Sequence, residues 1–381
     1  MGESELKGGV GCAAGGAPDV IAAPLPQARR SAAARKVGVE IEFGGLSVTH
    51  AQKIVQRELG GEIRAQDRAD GPNPHVKATA LGDVEVYLDS RYRSKPGLGK
   101  TLVAMAEPLI PVEIVTPPLK QSQLSQLDQL CVRLAEAGAT GTQDGVLNGF
   151  GVHLNVEVAD MTAEHIGPVL TSFALLEPLL RRMPGIDLSR RVQPFIAPYP
   201  KALVDALCAS PPQTMDDLLR LYLEHAADRN HALDLLPLLA DYAPDRVRAA
   251  LGEGDKTAAR PAYHYRLPDC RLGDPDWSIT REWNRWAEVE QIARDGRLKA
   301  LIEGWQARPR SEQLMSREWA KHAADILGVA NREGIAWNRG LPWQSRAAAV
   351  GGFFRWWLSI SGWQVAVRSV GKATVRRICP R

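Results

Sequence analysis

Two glutamates stand two residues apart in Val37-Gly-Val-Glu-Ile-Glu-Phe43, where the apolar residues Val37, Val39, Ile41 and Phe43 alternate with Glu40 and Glu42. Strict alternation predicts a strand, so both carboxylates project side by side from one face. Like charges at that spacing repel once water is withdrawn, unless a cation or a proton lies between them. A metal ion is therefore the economical expectation, although an isolated Glu-x-Glu on a solvated face needs none. This pair has company. Asp89, Glu113 and His153 each fall on the non-apolar side of a further strand-like segment, so one sheet face would gather carboxylates and an imidazole. Oxygen-rich clusters of this kind suit Mg²⁺ or Mn²⁺, whereas zinc prefers sulfur and nitrogen.

The elements that must position these groups are legible from periodicity. Thr49 offers a helix cap before Ala51, Val55 and Leu59, and Gly60-Gly61 closes that helix. Strands are predicted over 74–79 and 83–89. In the second, Val84, Val86 and Leu88 oppose Asp83, Glu85, Tyr87 and Asp89. Two more strands follow, at Pro111–Val115, stopped by Pro117-Pro118, and at Phe150–Val158, which places Gly151, His153, Asn155 and Glu157 together. A helix over 121–137 carries Leu124, Leu127, Cys131 and Leu134 and stops at Gly138. From 162 to about 252 the pattern is helical, broken at Pro194–Pro200 and Pro211-Pro212. A strand returns over 261–267. Asp276-Trp-Ser-Ile is a capping signal for a helix bearing Trp283, Trp286 and Val289, and with Trp277 its tryptophans are spaced for core packing. Alternating rather than continuously apolar strands predict an α+β fold. Its sheet is mostly antiparallel and curved, with helices on one face and a helical insertion over about 162–252.

Composition narrows the possible roles. With 381 residues, 45% hydrophobic and 24% charged, wholesale disorder and collagen-like repeats are excluded. The 47 basic and 44 acidic residues leave a net charge of +3, too balanced for nucleic-acid binding by electrostatics, so no nucleic-acid partner is expected. Charge is nevertheless uneven. No acidic residue follows Glu333 but eight basic ones do, and 345–381 forms a basic, tryptophan-containing extension. Contact with a membrane surface, a nucleic acid or another subunit would each suit it. Ala347–Val367 is the one membrane-span candidate, but Arg355 sits near its middle, which favours an interfacial segment. The cysteines Cys12, Cys131, Cys208, Cys270 and Cys379 are odd in number and far apart, so neither a disulfide framework nor a zinc site is expected, and a reducing cytoplasm fits. Residues 1–35 read as a disordered Gly/Ala-rich tail without the flank and apolar run of a signal peptide. His225 and His231 flank Asp228 and read as solvated histidines near a helix end.

The ordered set Val37-Gly-Val-Glu-Ile-Glu-Phe43, Leu88-Asp-Ser90, Pro111-Val-Glu-Ile-Val-Thr-Pro-Pro-Leu119, Gly151-Val-His-Leu-Asn155 and Tyr265-Arg-Leu-Pro268 resembles the putative amidoligase family. The similarity runs from about residue 36 to 330 and takes in Asn230-His-Ala-Leu-Asp-Leu-Leu-Pro237 and Trp277-Ser-Ile-Thr-Arg-Glu-Trp-Asn-Arg-Trp286. That family belongs to the carboxylate–amine ligase superfamily, which shares a glutamine-synthetase-like catalytic fold with the glutamate–cysteine ligases. The resemblance implies ATP-dependent amide formation, in which a carboxylate becomes an acyl phosphate and an amine displaces the phosphate, with Mg²⁺ or Mn²⁺ as cofactor. By the family pattern Glu40, Glu42 and Glu113 are metal ligands, and Asp89 is an acid near the metal or the amine. His153 is a ligand or a partner of the nucleotide phosphates. Arg266 reaches the γ-phosphate or the acyl phosphate, a role that suits the guanidinium fork. One departure stands out. The glutamate–cysteine ligases carry an acid two residues before that arginine, and this chain has His264, leaving one anionic ligand fewer.

Around this core the expectations are looser. Pro96-Gly-Leu-Gly-Lys-Thr101 is not a phosphate loop, because Ser94 occupies a required glycine position, but Arg91, Arg93, Lys95 and Lys100 form a basic loop suited to ATP or an acidic substrate. Tyr92, Asn148, Trp277 and Asn284 are candidates for the substrate pocket. The expected partners are a small-molecule or peptide carboxylate, an amine, and an amidotransferase-type enzyme. A non-catalytic nucleotide-binding protein descended from such a ligase is the alternative, and a metal-dependent hydrolase acting without ATP is the third reading.

Overall fold

The sheet is built around β1 (Lys36–Phe43), whose Val37, Val39, Ile41 and Phe43 are all buried on one side. The computed structural model describes residues 35–68, 71–88, 111–144, 149–183, 196–252, 257–309 and 316–329. Among them, β1 is joined by β2 (Glu62–Arg68), β3 (Gly71–Thr79), β4 (Gly82–Leu88), β5 (Val112–Val115), β6 (Leu119–Lys120), β7 (Val152–Glu157), β8 (Leu233–Asp234) and β9 (Ala262–Tyr265). These strands form one open sheet in the order β2-β3-β4-β5-β1-β7-β9-β8, with β6 paired to the start of β1, and all of the strand pairs are antiparallel. The expectation of an α+β protein with a mostly antiparallel sheet is met.

Ten α-helices accompany the sheet among the described residues. They are α1 (Val48–Leu59), α2 (Leu124–Glu136), α3 (Ala163–Leu180), α4 (Lys201–Ala209), α5 (Met215–Ala226), α6 (Leu236–Tyr242), α7 (Pro244–Leu251), α8 (Ile279–Ile292), α9 (Gly296–Ala307) and α10 (Ser316–Ile326). Residue parity decides where the core lies. Val84, Val86, Val112, Ile114, Val152, Leu154, Val156, Tyr263 and Tyr265 are buried like the odd-numbered residues of β1. Removing each such side chain from water contributes roughly 1.5–3 kcal/mol. Helices seal this side. Trp286 of α8 packs on Tyr263 and Tyr265 with ring centroids 5.1 and 5.3 Å away, and Phe173 of α3 meets Tyr265 edge to face at 5.8 Å.

Several boundaries differ from the sequence expectation. The cap of α1 is Ser47, whose hydroxyl accepts from His50 N at 3.2 Å, so Thr49 already lies within the helix. Gly60, at φ 74°, ends it as expected. Strand β2 has no counterpart in the periodicity. It is an edge strand with Ile63 37% exposed, and an edge with little to bury shows no alternation. The insertion between β7 and β9 is helical, as expected, but it also contributes β8, the far edge of the sheet. Arg35, assigned to the tail, is anchored to the folded body through Glu157 and Glu290. His231 is buried rather than solvated, with its ring centroid 4.9 Å from that of Tyr199.

The chain divides into two units, Met1–Ile335 and Ala336–Arg381, and the second lies wholly outside the described residues. So do the tail before Arg35 and the candidate span Ala347–Val367. No described helix is long and apolar enough to cross a membrane.

Candidate functional site

Where the odd residues of β1 are buried in the core, the even ones face the other way, and pairing register lines them up with partners from five strands. Glu42 stands directly opposite Glu113 of β5, and Glu113 in turn opposite Tyr87 of β4. Glu40 stands opposite His153 of β7. One step along, Gly38 faces Asn155, Asn155 faces His264 of β9, and His264 faces Asp234 of β8. Directly paired residues share a face, so a single polar surface collects side chains separated by more than two hundred residues of chain. Arg266 follows two residues after His264, on the same side.

Within this row the contacts are specific. His153 Nδ1 lies 2.8 Å from Glu40 Oε2, and because a carboxylate only accepts, Nδ1 carries the proton of that bond. Asn155 Nδ2 donates to Glu40 Oε1 at 2.7 Å. Glu42 Oε2 accepts from Gly151 N at 2.9 Å, and its Oε1 lies 3.8 Å from His153 Nε2. Glu42 is 2% exposed and Glu113 9%. Two carboxylates so buried, directly opposite on neighbouring strands, form an arrangement that destabilises a sheet unless positive charge or a proton offsets it.

The other end of the row is nitrogen-bearing. The His153 and His264 rings meet edge to face with centroids 5.4 Å apart, and one ligand atom each from Glu40, His153 and His264 lie within 4.8 Å of one another. Asp234 is fully buried, with Oδ2 3.5 Å from His264 Nδ1 and 3.7 Å from Arg229 Nε, while Oδ1 accepts from Leu236 N at 2.9 Å. Arg266 donates to the Arg229 carbonyl.

Burial and charge shape the titrations. Burial pushes the Glu40 carboxyl up, but His153, His264 and the Asn155 amide together outweigh it and hold Glu40 far below the ordinary carboxylate range. Burial drives His264 down to about 4, against the opposing pull of Asp234 and Glu40. Asp234 is raised by burial but lowered overall by His264 and Arg266. At neutral pH the row therefore holds ionised Glu40 and Asp234 beside a neutral His264 with a lone pair to offer.

The donor set fits a metal. His153 Nε2 is buried with no hydrogen-bond partner and lies 3.8 Å from Glu42 Oε1. A cation bound beside them would give the nitrogen a partner and offset the carboxylate charge.

Of the residues singled out from sequence, Glu40, Glu42, Glu113, His153 and Arg266 share this face. Asp89, Lys95, Lys100, Tyr92 and Asn148 lie outside the described residues. Trp277 and Asn284 belong to α8 and the turn before it, and α8 packs through Trp286 on the opposite side of the sheet. Asp234 and Asn155 were not singled out. Alternation does place Asn155 on the face of His153, whereas β8 is two residues long and has no periodicity to read.

No curated protein matches the chain significantly. A family model described as "putative amidoligase enzyme" matches residues 33–288, from just before β1 into α8, and so includes every residue of the polar row. With well over half of its length matched in this way, the chain belongs to the putative amidoligase family, a family of ligase type.

Proposed function

We propose that the protein is an ATP-dependent carboxylate–amine ligase that forms an amide through an acyl-phosphate intermediate, on a glutamine-synthetase-like fold. The observation that carries this reading is the buried Glu42–Glu113 pair, set beside Glu40 and on the same sheet face as Arg266. Such a face suits a reaction that brings a polyphosphate and a carboxylate together. Glu40, Glu42 and Glu113 would hold Mg²⁺ or Mn²⁺, which neutralises phosphate charge and orients the transferring group when bound.

The chain's own groups account for the remaining requirements. Asn155 and His153 both hydrogen-bond Glu40 and fix its carboxylate in one orientation. Arg266 offers a guanidinium whose geometry matches phosphate or acyl-phosphate oxygens. Burial of Glu42, Glu113 and His153 keeps water scarce around this face, as a hydrolysable acyl phosphate demands. Asp89 is proposed to receive the amine's proton, and Lys95 and Lys100 to contact the nucleotide. The substrates would be a small-molecule or peptide carboxylate and an amine, with an amidotransferase-type enzyme as a cooperating partner.

The test is phosphate release from Mg²⁺·ATP across amino acids and amines, supplied singly and in pairs. Release that requires both substrates, and that falls by about 100-fold or more in Glu40→Gln, is expected. Nucleotide binding without turnover across the panel would favour the non-catalytic reading. Metal-dependent hydrolysis that ignores ATP would favour a hydrolase.

A further inference from the structure

We propose that His264, positioned by Asp234, makes one end of the polar row a nitrogen-bearing cation subsite that prefers first-row transition ions such as Mn²⁺ to Mg²⁺. Its ligands are Glu40, His153 and His264, whose donor atoms lie within 4.8 Å of one another. Ligands around a bound divalent ion at about 2.1 Å lie roughly 3 Å apart, so metal binding would draw these ligand atoms together by up to about 1.8 Å. Both imidazoles are more than nine-tenths buried. Neither His153 Nε2 nor His264 Nε2 has a hydrogen-bond partner. Orphaned buried nitrogens of this kind are costly to the fold unless something binds them.

Asp234 supplies the second feature of a built site. A carboxylate behind an imidazole holds the proton on the near nitrogen and turns the lone pair of the far one towards a metal. Asp234 Oδ2 stands 3.5 Å from His264 Nδ1, so Nε2 is the nitrogen left to coordinate. The Leu236 amide, donating to Oδ1, holds the aspartate in place. Asp234 is thus a positioning residue, acting through His264.

Donor chemistry then separates the two ends of the face. Mg²⁺ favours oxygen ligands and keeps much of its water, whereas imidazole suits transition ions. The Glu42–Glu113 end is dominated by carboxylates and suits Mg²⁺. The Glu40–His153–His264 end is not. This inference rests on the face being a metal site, not on the ligase chemistry.

The experiment uses the full-length, metal-stripped protein without nucleotide, so that a failure of the ligase reading leaves it untouched. Mn²⁺ is titrated by electron paramagnetic resonance, Mg²⁺ is added as competitor, and pulsed spectra count ¹⁴N nuclei coupled to the bound ion. Wild type is expected to show coupling from two imidazoles and to release Mn²⁺ only to a large excess of Mg²⁺. His264→Glu should lose one coupling and narrow the Mn²⁺/Mg²⁺ preference about tenfold, and Asp234→Asn should weaken Mn²⁺ about tenfold while Mg²⁺ binding at the oxygen end is kept. Wild-type Mn²⁺ without ¹⁴N coupling overturns the proposal, and so does a folded His264→Glu protein with unchanged coupling and preference. Should His264→Glu fail to fold, the wild-type spectrum and Asp234→Asn still decide.

Discussion

Glu42 and Glu113 set two carboxylates against each other within the sheet. Both are buried, and they stand directly opposite each other on neighbouring strands. Replacing one carboxylate by its uncharged isostere removes the repulsion while leaving an oxygen that can still accept from Gly151 N. Glu42→Gln is therefore expected to stabilise the metal-free protein by about 1 kcal/mol while abolishing metal-dependent turnover. Thermal denaturation in a chelator, repeated with Mn²⁺, checks this, since added metal should stabilise wild type and do little for the variant. A Glu42→Gln protein that is less stable without metal would mean that the pair is already neutralised from within. Glu40, Glu42, Glu113 and His153 were legible at this scale because each lies in a strand long enough to alternate. Asp234 was not, because two residues of strand carry no period.

The elements show where local chemistry overrides a plausible alternative. The sequence points to Thr49 as the cap of α1. The structure gives the role to Ser47, through His50 N at 3.2 Å, and Thr49 lies inside the first turn. Ser47→Ala is expected to cost about 1 kcal/mol, and Thr49→Ala to stay within about 0.5 kcal/mol of wild type. Urea unfolding of the two variants separates them, and a larger loss in Thr49→Ala than in Ser47→Ala would return the cap to Thr49. The choice matters to the site, because α1 follows β1 directly and packs on β3 and β4, which extend the sheet past Glu113. Strand β2 went unseen for the opposite reason: its side chains at Glu62, Ile63 and Arg64 are exposed, and exposure erases the pattern.

Across the whole molecule, one ion pair ties the start of the sheet to the helix layer. Both terminal nitrogens of Arg35 reach Glu290 at 2.6 Å, and its Nε donates to the Glu157 carbonyl at 2.7 Å. Trp286 Nε1 completes the cluster by donating to Glu290 at 2.9 Å. The first described residue thus joins β1, the end of β7 and α8, the helix that closes the apolar side. Arg35→Ala would leave a buried carboxylate with one neutral donor and is expected to cost about 3 kcal/mol in denaturant unfolding. A near-neutral effect would show that the pair is not needed to hold α8 on the sheet.

What the sequence determined by itself was the local part: alternating strands, the side on which each carboxylate or imidazole falls, the helical stretch between β7 and β9, and the amidoligase resemblance. Period and parity are local properties, set by side-chain direction within a few residues. Only the tertiary structure decided which strands are neighbours and in what register, because pairing links residues as far apart as Glu40 and His153, 113 positions along the chain. That long-range register sets Glu42 against Glu113. It also brings His264 beside His153 and backs it with Asp234, so that a face read from the sequence as carboxylates with one imidazole carries two imidazoles in contact at one end.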